Sequence, residues 1–110
     1  EAVAERGRIP IKVAYPTTLR ITGAGMKDGF RAVRKDPIKE PGWTWTPTTK
    51  STDPADRHDR IDFVFSSLPD STVKQAAVVG ESKVNAHVVV APWPTDHRGV
   101  VVEYRIKLSP

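Results

Sequence analysis

The chain has no cysteine, so it has no disulfide framework, thiolate metal site or thiol nucleophile. The same absence leaves the redox compartment unreadable, and secreted and cytoplasmic placements both fit. No apolar run approaches the roughly 18 residues of a membrane-spanning helix, which excludes a transmembrane segment of that kind. Leucine is scarce, with three residues against fourteen valines, and such a β-branched excess favours strands over helices. Ten prolines further disfavour long helices. The sequence opens at Glu1 without methionine and without a signal-peptide pattern, which leads us to expect either a processed leader or a piece of a longer chain.

What is present fits one small unit. At 110 residues, residues 1–110 make at most a single domain with a modest core. Seventeen Lys and Arg against thirteen Asp and Glu give a net charge of +4. This excess suits a phosphate-bearing partner, but the cations are scattered. With no block of like charge, an ordinary solvated surface is the preferred reading of them.

The first half reads as short helices and loops. Residues 1–8 pattern as the end of a helix stopped near Gly7, and residues 9–14 as an edge-like extended stretch limited by Pro10 and Pro16. A short helix is expected over residues 17–25, with Thr17 or Thr18 as N-cap and Gly23 and Gly25 as stops. Residues 26–35 suggest a turn into a short segment carrying Phe30 and Val33. Residues 36–57 carry Pro37, Pro41, Pro47 and Pro54 and read as a loop. A loop of this length in a small domain is commonly functional. In the second half, Ile61, Phe63 and Phe65 alternate on one face of a strand over residues 60–65. A turn at residues 68–71, strands over 72–80, 87–91 and 100–108, and a proline-stiffened loop at 92–97 complete the pattern. The fold class is α+β, strand-rich with short helices near the N-terminus.

Few residues are candidates for chemistry. Asp62 is a carboxylate within an apolar strand, so it is either paired or turned to solvent on an amphipathic strand. Asp96 and His97 lie in the proline-flanked loop before the last strand. An imidazole there suits a general base or a phosphate contact, and a neighbouring carboxylate suits a hard cation or its water. A surface turn explains the same dipeptide. His58 and Asp59, between Arg57 and Arg60, invite a metal reading. We set it aside for a solvated charged turn, because no third ligand is near in sequence. His87 opens an apolar strand and reads as structural.

Three ordered segments carry a family resemblance. They are Gly42-x-Thr44-Trp45, then Asp59-Arg60-Ile61-Asp62-Phe63-Val64, then Thr95-Asp96-His97-Arg98 running into Val100-Val101-Val102. Together the set resembles the C-terminal part of the endonuclease/exonuclease/phosphatase superfamily, the deoxyribonuclease-I-like fold. The stretch from Ala24 to Arg31 is similar to the segment just after that family's central Gly-Asp-Phe-Asn motif. The resemblance covers about residues 15–108 of a domain that runs to about 250 residues. The family's early asparagine, metal-binding glutamate, middle histidine and Gly-Asp-Phe-Asn segment are absent. Thr95 stands where the family usually has Ser, and Phe63 where many members have Tyr.

The resemblance implies the C-terminal part of a two-sheet α/β sandwich and a set of roles. His97 would be the active-site histidine. Asp62 would pair with it and fix its tautomer. Asp96 would help to hold Mg²⁺ or Mn²⁺ or its water. Trp45 and Arg60 would shape the site or touch the substrate. The implied reaction is hydrolysis of a phosphodiester or phosphomonoester. Nucleic acid, phospholipid and sugar phosphate substrates are not distinguished. With so many of the family's groups absent, the 110 residues are expected to be inactive alone. The alternative reading is a non-catalytic β-rich module that binds a partner or associates with itself. Half a sandwich would leave an apolar face and strand edges open to a second copy or to a missing N-terminal half.

Overall fold

In a computed structural model, residues 13–109 are described. The helix end expected over residues 1–8 and most of the extended stretch after it lie outside the described residues. The chain is α+β in the coarse sense, with two short helices before the main run of strands.

Helix α1 spans Pro16–Gly23. It begins one residue before the expected range of 17–25. Pro16 occupies the first turn, where its missing N–H is no loss. The cap position falls to Tyr15, and no side chain caps the helix. Thr18 instead donates its hydroxyl back to the Tyr15 carbonyl at 3.0 Å. Gly25, at φ +99°, turns the chain out of the helix. No residue of α1 is buried.

Strand β1 (Lys27–Asp28) leads directly into helix α2 (Gly29–Val33). The Asp28 carboxylate caps α2 by accepting from the Arg31 amide. Helix α2 packs across a three-stranded sheet of order β4-β3-β5, made of β3 (Val73–Gly80), β4 (Val88–Val89) and β5 (Gly99–Tyr104). Strands β3 and β5 are antiparallel, and β3 and β4 parallel. Phe30 of α2 sits in a small core with Ala76, Val78 and Ala86, flanked by Val100 and Val102. Gly29 lets α2 lie close on β5, since a Cβ there would stand 2.6 Å from the Tyr104 hydroxyl. Gly42, at φ +68°, brings the loop against the Phe30 ring, which a Cβ would meet at 2.6 Å. Only glycine meets both conditions without strain.

The strand expected over residues 60–65 forms only at its end. Strand β2 is Phe65–Ser66, paired antiparallel with β1. The Phe63 and Phe65 rings stack at 5.4 Å, as their shared face implies, but Ile61 is exposed. The amides of Ile61 and Asp62 bond to a side chain instead of a neighbouring strand. The expected strands over 87–91 and 100–108 shorten to β4 and β5. Residues 36–57 hold no helix or strand of their own. Among the described residues, no helix is long and apolar enough to cross a membrane.

With so few apolar side chains in the core, each counts. Phe30→Ala is expected to lower unfolding free energy by about 3 kcal/mol, at the low end for buried aromatics. Chemical denaturation would measure it.

Candidate functional site

The site is assembled by a short extended piece of the 36–57 loop. Trp45 pairs antiparallel with Asp59 on one side and with His97 on the other. The Thr44 and Trp45 amides both donate to the Asp59 carbonyl at 3.0 Å, and the Asp59 amide returns a bond to Trp45 at 2.8 Å. On the other side the Arg98 amide donates to the Thr44 carbonyl at 2.6 Å. Thr44 is completely buried. Its Oγ1 accepts from the amides of Ile61 and Asp62, each at 3.1 Å. A threonine hydroxyl thus takes the place of a partner strand and sets the backbone at Asp62.

This arrangement brings Asp62 and His97 together from positions 35 residues apart. His97 Nδ1 lies 2.7 Å from Asp62 Oδ2. A carboxylate at that distance makes Nδ1 the protonated nitrogen. No group among the described residues bonds to Nε2. Both side chains remain about 40% exposed, so the pair is open to a solute. The His97 pKa is raised above its ordinary 6.5, first by the hydrogen bond to Asp62, against an opposing effect of desolvation. The charges of Asp62 and Asp96 act in the same direction as the hydrogen bond.

The loop that carries His97 is tied at several points. Trp93 Nε1 donates to the His97 carbonyl at 2.8 Å. Thr46 Oγ1 donates to the Asp96 carbonyl at 2.9 Å. Next to His97, the Arg98 side chain is wholly buried. Its Nε and Nη2 each lie 2.7 Å from a different oxygen of Glu81, a fork-to-fork contact that only arginine makes. Its Nη1 reaches the Trp43 carbonyl at 3.2 Å, and Nη2 the Thr46 carbonyl at 3.4 Å. Burial alone would raise the Glu81 carboxyl, but the Arg98 hydrogen bond, a bond from Glu81's own amide and the Arg98 and His58 charges together hold it below the ordinary value.

His58 departs from the solvated turn expected at residues 57–60. Arg57 and Asp59 are exposed, but the His58 ring is buried and stacked on Trp43 at 4.9 Å between centroids. It bonds to the buried Asp56 at 3.0 Å. His87 has the structural part expected of it, with Nδ1 accepting from the Val78 amide at 2.9 Å.

The remaining candidates are placed differently. Arg60 points away from His97 in its contacts: its guanidinium bonds to Asp28 at 2.6 Å and lies over the Phe30 and Phe63 rings. Trp45 acts through its backbone. The Asp96 carboxylate is exposed, and among the described residues its one hydrogen bond is to the Thr95 hydroxyl, at 3.5 Å. A hard divalent cation takes about six oxygen donors. Among the described residues no group of three or more His, Asp or Glu is gathered to hold one. These residues therefore do not make up a metal site, and Asp96 offers a single donor. Thr44 and Arg98, both within the motif segments, are the supporting residues that sequence reasoning left without a role. No pattern marks a buried threonine hydroxyl, whereas a cation directly following a candidate imidazole was a visible signal.

Comparison with known proteins returned no match, either to a family model, to a curated protein or to a solved structure.

The pairing has two measurable consequences. A histidine whose folded pKa is raised adds stability that is complete below 6.5, the unfolded value, and lost as pH rises through the folded value. The wild type should therefore lose stability across that window, and Asp62→Asn should flatten the loss and return the His97 titration toward 6.5. NMR of the ring and denaturation at several pH values would check both. Thr44→Val keeps the shape but strands two amides, and is expected to cost about 1–3 kcal/mol.

Proposed function

We propose that the chain is the C-terminal part of a phosphoesterase of the endonuclease/exonuclease/phosphatase type, with His97 and Asp62 as its reacting pair. The observation that carries this reading is the 2.7 Å contact of Asp62 with His97 Nδ1, beside an Nε2 without a protein partner among the described residues. Asp62 holds the ring in one orientation and favours its imidazolium form. The Nε2–H then donates to a non-bridging phosphoryl oxygen, or Nε2 takes the proton of an attacking water. The raised pKa favours the first role near neutral pH. The fold that goes with this reading is a deoxyribonuclease-I-like sandwich, of which the β4-β3-β5 sheet forms part. Mg²⁺ or Mn²⁺ belongs to the same proposal, with Asp96 as a candidate donor, but the described residues gather no group of three or more His, Asp or Glu to hold it, and no step is assigned to it.

The test is direct. Inorganic phosphate should shift the His97 ring resonances of the 110-residue protein saturably, and Asp62→Ala should weaken the effect. No shift at saturating phosphate would overturn the phosphoryl contact. Because the described residues gather no cation site, Mg²⁺-dependent hydrolysis of an activated phosphodiester should not exceed the buffer rate. Turnover that disappears in His97→Ala would overturn that part.

A second reading is favoured by one feature of the sheet. Helix α2 covers the face that carries Ala76 and Val78, but on the opposite face Ala77 pairs with Val101, and Val79 with Val88. Val88 and Val101 are about half exposed there. This bare apolar strip supports a self-associating module, whether or not hydrolysis also occurs. Light scattering at micromolar concentration should then give a mass above 12.1 kDa, and Val101→Lys should restore the monomer. A monomeric wild type would overturn the reading.

A further inference from the structure

We propose that Arg98 is a positioning residue, whose buried guanidinium, clamped by Glu81, fixes where the His97 imidazole stands against Asp62. For its catalytic meaning this rests on the reading of His97 and Asp62 as the reacting pair. The mechanical tie of Arg98 to His97 is independent of it.

Arg98 is joined to His97 by one peptide bond, so wherever its side chain is anchored the His97 backbone goes with it. The anchor is unusually complete. The side chain is fully buried, both oxygens of Glu81 receive it, and the carbonyls of Trp43 and Thr46 receive what remains. Glu81 directly follows β3 and is thereby fixed to the sheet. The space is cut to fit: at Gly80 a Cβ would stand 2.9 Å from Arg98 Cγ, so the end of β3 has no side chain where the arginine passes.

The two carbonyls matter as much as the carboxylate. Trp43 and Thr46 flank the Thr44–Trp45 piece, whose hydroxyl holds the Asp62 amide and whose backbone pairs with His97. One guanidinium therefore grips the support of both partners. It ties the His97 loop to β3 through Glu81 and ties the Asp62 support to the same point through the loop carbonyls. Displacing it moves His97 and Asp62 relative to one another without removing any atom of either. A lysine retains the charge but provides a single point donor, unable to span both Glu81 oxygens and both carbonyls.

The state of the His97 ring reads this out. When His97 is neutral, a carboxylate held at Nδ1 keeps the proton on that nitrogen, whereas a released imidazole returns toward the Nε2–H form that it favours in water. Long-range ¹H–¹⁵N spectra of the 110-residue protein, taken where His97 is neutral, report the tautomer. The wild type should be predominantly Nδ1–H. Arg98→Lys should lose that predominance while retaining a dispersed, folded spectrum, and Glu81→Gln, which removes the charge but little volume, should move partway. As a control, Arg34→Lys weakens a contact to the Ala76 carbonyl and Glu40 away from the site. It should lower thermal stability and leave the His97 tautomer unchanged. A folded Arg98→Lys protein with the wild-type tautomer would overturn the proposal, as would a wild type without the Nδ1–H form. Should Arg98→Lys fail to fold, Glu81→Gln decides: an unchanged tautomer there overturns it. A tautomer that moves as expected, with no response to phosphate, would leave the positioning role intact and remove the hydrolase reading.

Discussion

The placement of the candidate site depends on the ion pair of Arg98 with Glu81. Removing a guanidinium from water is expensive, and its net contribution is favourable only when its donors are met in good geometry. Here two carboxylate oxygens and two main-chain carbonyls meet it. The apolar core has little to offer in exchange, being built around Phe30, Val78 and alanines. Long irregular segments must pass close to that core, and their buried carbonyls require donors. Arginine supplies them repeatedly. Arg31 donates to the carbonyls of Arg34, Glu40 and Pro41, Arg34 to that of Ala76, and Arg98 to those of Trp43 and Thr46. Planar forks of several donors act in this chain where a larger domain would use hydrophobic bulk.

That solution explains why the candidate site stands on loop rather than on sheet. Asp62 belongs to a segment whose amides are held by the Thr44 hydroxyl instead of a strand ladder. His97 belongs to a loop held by Trp93, Thr46 and the Arg98 anchor. These ties are individual directional contacts, so the relative placement of the two side chains is defined by a few identifiable bonds. Conventional strand pairing would have spread the same constraint along a ladder, leaving less of it to any one side chain.

The sequence was most legible where burial obeys a simple period. The sequence pattern placed the strand over residues 72–80 closely, and in β3 one face packs against α2 while the other does not. It overstated the strand at residues 60–65 for a physical reason. Ile61, Phe63 and Phe65 do alternate, but alternation reports side-chain faces and says nothing of where the amides go. The partner of the Ile61 amide is a side chain seventeen residues earlier. Likewise, Arg57 to Arg60 carries the charge pattern of a solvated turn, and two of those residues are exposed. The stacking of Trp43 on His58 helps to take the imidazole out of water, and a long-range aromatic contact leaves no mark in local composition. The pairing of Asp62 with His97 was legible through the ordered motifs, whereas of the supports beneath it Arg98 left a signal that was not used and Thr44 left none.

The described residues divide the chemistry unevenly. An imidazole with its Nδ1 tied to a carboxylate and its Nε2 open is equipped to donate or accept a proton at a solute. The charge that develops on a phosphate during attack needs more than one cation, however. Arg60, the basic residue closest in sequence to Asp62, is neutralised by Asp28 and covered by two phenyl rings. Arg98, the nearest to His97, is neutralised by Glu81 and buried. Asp96 contributes a negative charge rather than a positive one. The two arginines that a motif reading would aim at a phosphate are thus turned inward to hold the fold. On the hydrolase reading, charge neutralisation must come from groups other than these, while the chain itself supplies the proton-handling pair.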